Sequence, residues 1–171
     1  MTDISRREML GITAAAFVVP LLSPFTLAAR FFTPAEFAMV DELSEMIIPA
    51  DAHSPGARVA RVAGEIDRRL SESTSPEWKA TWRDGLRLVD DLSREMYGAR
   101  LMQASPGQRL AVLTRMAAAE RSPQAAIDKF FVTLKGATAQ AYYTSKVGIH
   151  LDQQYKGNVF QPGDYAGFDA T

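Results

Sequence analysis

Apolar residues recur along this chain with the period of a helix, in five stretches separated by short polar breaks. Trp78, Trp82, Leu86, Val89, Leu92 and Met96 fall at steps of three and four residues, which places them on one stripe of a single helix. Arg83, Arg87, Asp90, Asp91 and Arg94 take the other faces, at spacings that let them pair. Upstream, Phe37, Val40, Leu43 and Ile47 form a stripe that stops at Pro49. Val59, Val62, Ile66 and Leu70 form a second, with Arg58, Arg61, Glu65 and Arg68 turned elsewhere. Downstream, Leu110, Leu113 and Met116 predict a short helix over about Pro106 to Glu120. Ile127, Phe130, Phe131, Leu134, Ala141 and Tyr142 predict a longer one from about Pro123 to Ser145.

The starts of these stretches are punctuated. Thr33-Pro34, Ser54-Pro55, Ser75-Pro76, Ser105-Pro106 and Ser122-Pro123 each place a hydroxyl ahead of a proline. The hydroxyl can accept from an unpaired first-turn amide, and proline at the first helical position sacrifices no needed donor. Glu36 and Gln108, three residues after Thr33 and Ser105, complete two capping boxes. No run of strict alternation argues for a strand. The fold class is therefore all-α: a single bundle of about five helices, burying stripes that none could bury alone.

Both ends break the pattern. Ser5-Arg6-Arg7-Glu8-Met9-Leu10 precedes an uncharged run from Gly11 to Ala29 that ends in small residues. A charged region, a moderately apolar stretch and a small-residue end make an export signal, and the arginine pair points to the twin-arginine route. Arg6, Arg7, Met9 and Leu10 carry that signal. Two plainer readings stand beside it. The run is just long enough to span a membrane, although Pro20, Pro24 and the diluting Ala and Thr residues weaken such a helix. It also suits an ordinary apolar N-terminal helix. At the other end, Gly148, Gly157, Gly163 and Gly167 punctuate Tyr155, Phe160, Tyr165 and Phe168, without helical period. The chain thus divides into a leader (1–29), a helical bundle (30–147) and an irregular aromatic tail (148–171).

Composition narrows the chemistry. A formal net charge of −1 favours no nucleic acid and no anionic surface. The absence of cysteine excludes disulfides, thiolate metal sites, iron–sulfur ligation and thioether haem attachment. The only histidines are His53 and His150, and neither follows a glutamate at the spacing a di-iron bundle uses. HExxH, GxSxG, a phosphate loop and GxGxxG are all missing. Asp51 with His53, and His150 with Asp152, each supply half a metal shell and read more simply as loop residues. No catalytic, cofactor-binding or metal site is expected in this chain. Aromatic side chains give large contact area at low entropic cost, so Tyr142, Tyr143, Tyr155, Phe160, Tyr165 and Phe168 are candidate partner contacts. A strap folded over the chain's own bundle is the alternative.

Phe32-Thr33-Pro34, Leu43 through Ile47-Ile48-Pro49-Ala50-Asp51, His53-Ser54-Pro55-Gly56-Ala57 and Ile66-Asp67 together resemble the gluconate 2-dehydrogenase subunit 3 family. So do Phe130 to Leu134, Thr138, Tyr142-Tyr143-Thr144-Ser145, Gly148 and Tyr155-x-Gly157. The resemblance covers about residues 31 to 168, and Ile-Ile-Pro-Ala-Asp is its most specific piece. It implies the small subunit of a membrane-associated, flavin-dependent dehydrogenase acting on sugars or sugar acids. In that setting a large flavoprotein of the glucose–methanol–choline oxidoreductase type holds FAD and takes the hydride. A c-type cytochrome often completes the complex. The small subunit would lend its leader, taking the folded large subunit through the twin-arginine translocase to the periplasm. The resemblance supplies no catalytic residues. Two other classes remain open: a stand-alone periplasmic module holding a small ligand near Trp78, Trp82 and the tyrosines, and a metal enzyme using Asp51, His53, His150 and Asp152.

Overall fold

Helix starts are set by side chains that satisfy first-turn amides, and three of the predicted starts are built as the sequence dictates. The Thr33 hydroxyl accepts from Glu36 N–H while the Glu36 carboxylate accepts from Thr33 N–H at 2.8 Å. Ser105 and Gln108 repeat that reciprocal box, and Ser75 accepts from Trp78 N–H. In this computed structural model, which describes residues 31–153, the order is α1 (Pro34–Ile47), α2 (Gly56–Val59), α3 (Val62–Glu72) and α4 (Pro76–Tyr97). A 3-10 turn (Leu101–Gln103), α5 (Pro106–Ala117), α6 (Ala126–Tyr143) and a π-helical turn (Val147–Asp152) follow. No strand occurs among the described residues, so the all-α fold is as expected, with α1, α3, α4, α5 and α6 as the five substantial helices.

The bundle is organised around α6, which packs against α1, α3, α4 and α5. Accordingly it buries residues along its whole length: Phe130, Phe131, Leu134, Thr138, Ala141 and Tyr142. Against it α4 sets Trp82, whose side chain is fully buried with its ring 5.7 Å from that of Phe130 in an edge-to-face arrangement. Phe32 closes the other side of the indole at 5.7 Å. This close approach depends on Gly85, where any side chain would collide with the Phe130 ring. A small polar seam crosses the core, with the Ser44 and Thr138 hydroxyls paired at 3.3 Å between α1 and α6.

Several expectations are corrected. The second helix is broken: Arg61 adopts a left-handed conformation (φ 57°), and the turn there lets both α2 and α3 lie against α1. Val59, expected on the buried stripe, is 59% exposed as a result. Ser54 is not the N-cap of α2, which is Pro55, but its hydroxyl accepts from Gly56 N–H at 3.3 Å and also meets the Tyr142 hydroxyl. Ser122-Pro123 does not start α6 either. The Asp128 carboxylate, from inside the helix, accepts from the Gln124 and Ala125 N–H groups and fixes the start at Ala126. In α5 the inward positions are Val112, Leu113 and Met116, while Leu110 faces out, and the helix ends at Ala117. Gly148 to Asp152, assigned above to the irregular tail, continue as a π-helical turn.

Two glycine substitutions separate packing from propensity. Gly85→Ala should lower stability by about 1–3 kcal/mol, since the Phe130 ring must move in a filled core. Gly136→Ala, inside α6 with open space around it, should raise stability by about 0.5–1 kcal/mol through backbone entropy alone. The urea midpoints of the two variants should therefore move in opposite directions.

Candidate functional site

The segment Ile48 to Gly56, which overlaps the Ile-Ile-Pro-Ala-Asp string of residues 47–51, forms a tied loop leading from α1 into α2. One carboxylate, that of Glu45 in the last turn of α1, holds it at both ends. Its Oε1 accepts from Ala50 N–H at 3.3 Å and its Oε2 from Arg58 N–H at 2.7 Å. Within the loop, Asp51 Oδ1 accepts from His53 N–H and Ser54 N–H, each at 2.7 Å, and Asp51 N–H returns to the Ser54 carbonyl at 2.8 Å. The His53 and Ser54 amides thereby hold the Asp51 carboxyl below its ordinary value. Ile48 C=O accepts from Ala57 N–H at 2.9 Å and closes the base. Gly56 is required twice over: its φ is +83°, and a Cβ would stand 2.7 Å from the Ala50 nitrogen.

The loop is then pinned to the end of α6. Ser54 Oγ and the Tyr142 hydroxyl lie 2.8 Å apart. Tyr142 is wholly buried, and burial pushes its phenol above the ordinary range, partly offset by the Ser54 hydrogen bond. The phenol therefore stays protonated and keeps this bond well into alkaline solution. Beyond it, Gly148 presses so closely on the Tyr142 carbonyl that no side chain would fit. Pro49, Ala50, Asp51, Ala52 and His53 are all exposed, so the loop presents a rigid, sharply shaped surface. Tyr143, 45% exposed and edge-to-face with Tyr142 at 5.2 Å, adjoins it.

Charges around this end are paired. Arg58 bridges Asp41 (2.6 Å) and Glu42 (2.9 Å), and Glu42 also meets Arg109 at 3.0 Å, tying α1, α2 and α5 together. Burial works against the Glu42 charge, but the Arg109 and Arg58 guanidiniums outweigh it and lower its pKa. Between α3 and the end of α6 runs a groove of about 380 Å³, lined by Ala60, Gly64 and Ala141 and by Arg61, Glu65 and Arg68. Hydrogen bonds from Arg68 and then Arg69 overcome the burial of Glu65 and hold its carboxyl down to about 2.

Among the residues expected to contact a partner, Tyr142 belongs to the core and Tyr143 to the surface. Arg6, Arg7, Met9, Leu10, Tyr155, Phe160, Tyr165 and Phe168 lie outside the described residues. Trp82 is core, Trp78 packs against the core's edge, and neither lines the groove. His53 and His150 are both exposed, and among the described residues no three His, Asp or Glu side chains come together as metal ligands. Sequence reasoning passed over Glu45, whose role comes from reaching across a loop whose shape no local pattern encodes. What this end offers is an exposed loop held by hydrogen bonds.

The family model described as gluconate 2-dehydrogenase subunit 3 matches residues 34–163. No curated protein and no solved structure matches the chain.

Two predictions follow from the geometry. Ser54→Ala and Tyr142→Phe should each cost about 1 kcal/mol, and the double variant should cost clearly less than their sum. Strict additivity in urea unfolding would show that the hydroxyls do not interact. The second concerns acid. The folded Glu65 carboxyl, near 2, lies below the usual 4.5, so the unfolded chain binds more protons between those values. The Glu65 contribution is therefore complete above about pH 4.5 and fades as pH falls towards 2. A Glu65→Gln variant should lose stability at pH 7 and show a shallower decline in that window.

Proposed function

Because the chain belongs to the gluconate 2-dehydrogenase subunit 3 family, we propose that it is the non-catalytic small subunit of a flavin-dependent dehydrogenase acting on sugars or sugar acids. In this reading a large flavoprotein of the glucose–methanol–choline type holds FAD and performs the oxidation, and a c-type cytochrome accepts the electrons. The small subunit binds the folded flavoprotein, stabilises it, and carries it to the periplasm by the twin-arginine route. The family match is the observation that carries this reading. It is supported by a helical body on which residues 49–53, within a hydrogen-bonded loop, stay exposed. Tyr143 is the anchor we assign on the described surface, with Tyr155, Phe160, Tyr165 and Phe168 as further contacts from the tail. The sequence Ser5-Arg6-Arg7-Glu8-Met9-Leu10 supports the export route.

Co-expression with the flavoprotein tests the proposal directly. Replacing Arg6 and Arg7 together by lysine should leave both subunits in the cytoplasm, measured as dehydrogenase activity in periplasmic and cytoplasmic fractions. Tyr143→Ala should weaken co-purification about 10-fold or more, the cost of truncating an interface anchor. Delivery of the flavoprotein to the periplasm by the lysine variant would refute the escort role.

A further inference from the structure

Phe31 and Phe32, just ahead of α1, are held by side chains of α3 and α4. Asp67 Oδ1 accepts from Phe31 N–H at 2.9 Å and from Phe32 N–H at 2.8 Å, and its residue is 1% exposed. The Arg83 guanidinium donates to the Phe31 carbonyl at 2.7 Å and lies 4.5 Å over the Phe31 ring. The same guanidinium meets both oxygens of Glu36, the carboxylate that closes the α1 capping box. Phe32 is 3% exposed, with its ring against Trp82. The N–H groups of Phe31, Phe32 and Thr33 and the carbonyl of Phe31 are thus engaged, by residues of α1, α3 and α4.

We propose that this clamp is a fold-dependent latch that sets the boundary of proteolytic processing between the leader and the body. A protease takes its substrate as an extended strand, pairing with the substrate's own N–H and C=O groups. Here the N–H groups of Phe31 and Phe32 and the carbonyl of Phe31 are already committed, and the Phe32 side chain is inside the core. In the folded chain, the Phe31–Phe32 and Phe32–Thr33 bonds are thereby withheld from cutting. In the unfolded chain the Phe31–Phe32 and Phe32–Thr33 bonds are ordinary sites for a protease that cleaves after aromatic residues. Asp67 lies 36 residues from Phe31, and the Arg83 bond spans 52. The latch therefore closes only when α3 and α4 have packed, and the state of the junction reports the state of the fold. Its link to export rests on the leader reading above. The protection itself does not.

Chymotrypsin on the full-length chain, with fragments identified by mass spectrometry, tests the latch. Cleavage after Phe31 and Phe32 should be roughly 100-fold slower than in a synthetic peptide of residues 27–37, because it must wait for local opening. Asp67→Asn keeps an acceptor for both amides and should stay protected. Asp67→Ala strands two buried donors and should approach the peptide's rate. If that variant does not fold, Arg83→Ala, altered at an exposed guanidinium, should raise cleavage by about 10-fold or more while retaining the helical circular dichroism signal. Wild-type cleavage at the peptide's rate would overturn the proposal, as would an exported chain whose amino terminus is Phe32 or later. Protection without export would support the latch and count against the export reading alone.

Discussion

Trp82 sits where three distant parts of the chain meet, and the architecture depends on its burial. Its indole lies between Phe32, just ahead of α1, and Phe130, in the central helix. An indole removes on the order of 200 Å² from water, and at about 25 cal/mol per Å² that is about 5 kcal/mol. Against this stands its N–H, which is buried without a hydrogen-bond partner among the described residues. Such a donor costs about 1–3 kcal/mol. Burial wins, but only if the rings approach closely, and the approach is set by the missing side chain at Gly85.

From that centre the molecule divides its labour by end. Near Phe31 and Phe32, polar side chains hold the chain where it enters the bundle. Near the end of α6, a hydroxyl pair holds a loop whose own residues stay exposed. The two are linked by α6 itself, which carries Phe130 near its start and Tyr142 near its end. The rigid loop is built almost wholly from backbone amides accepted by two carboxylates, Glu45 and Asp51. Such a loop holds its shape without burying its side chains, which a contact surface requires.

Much of this was legible in the sequence because it is local. Capping at Thr33, Ser75 and Ser105 needs only neighbours within a turn, and there the pattern and the structure agree. Ser54-Pro55 and Ser122-Pro123 carry the same local signal, and at each another side chain intervenes. Tyr142, 88 residues away, shares the Ser54 hydroxyl with the Gly56 amide, while Asp128 supplies the α6 cap from within its own first turn. Arg61 gives no glycine-like warning of its left-handed turn, so the broken second helix was unreadable, and with it the outward turn of Val59. On α4 the stripe was right at its centre and loosest at its end, where Met96 reaches the surface. The candidate site was visible as a distinctive string of residues. Its rigidity was not, since that comes from Glu45 and Tyr142 reaching in from two helices.

The sequence separation of the junction's partners has a consequence in time. During synthesis Phe31 and Phe32 emerge well before Asp67 and Arg83, and the Phe130 ring that backs Trp82 comes some hundred residues later. At about 5–20 residues per second, elongation leaves an interval of roughly 5–20 s before the last of these groups is made. Anything reading the nascent chain would meet residues 1–30 before any bundle exists to hold Phe31 and Phe32. Whatever recognises the finished body must act after that interval, so chain order alone separates the two encounters.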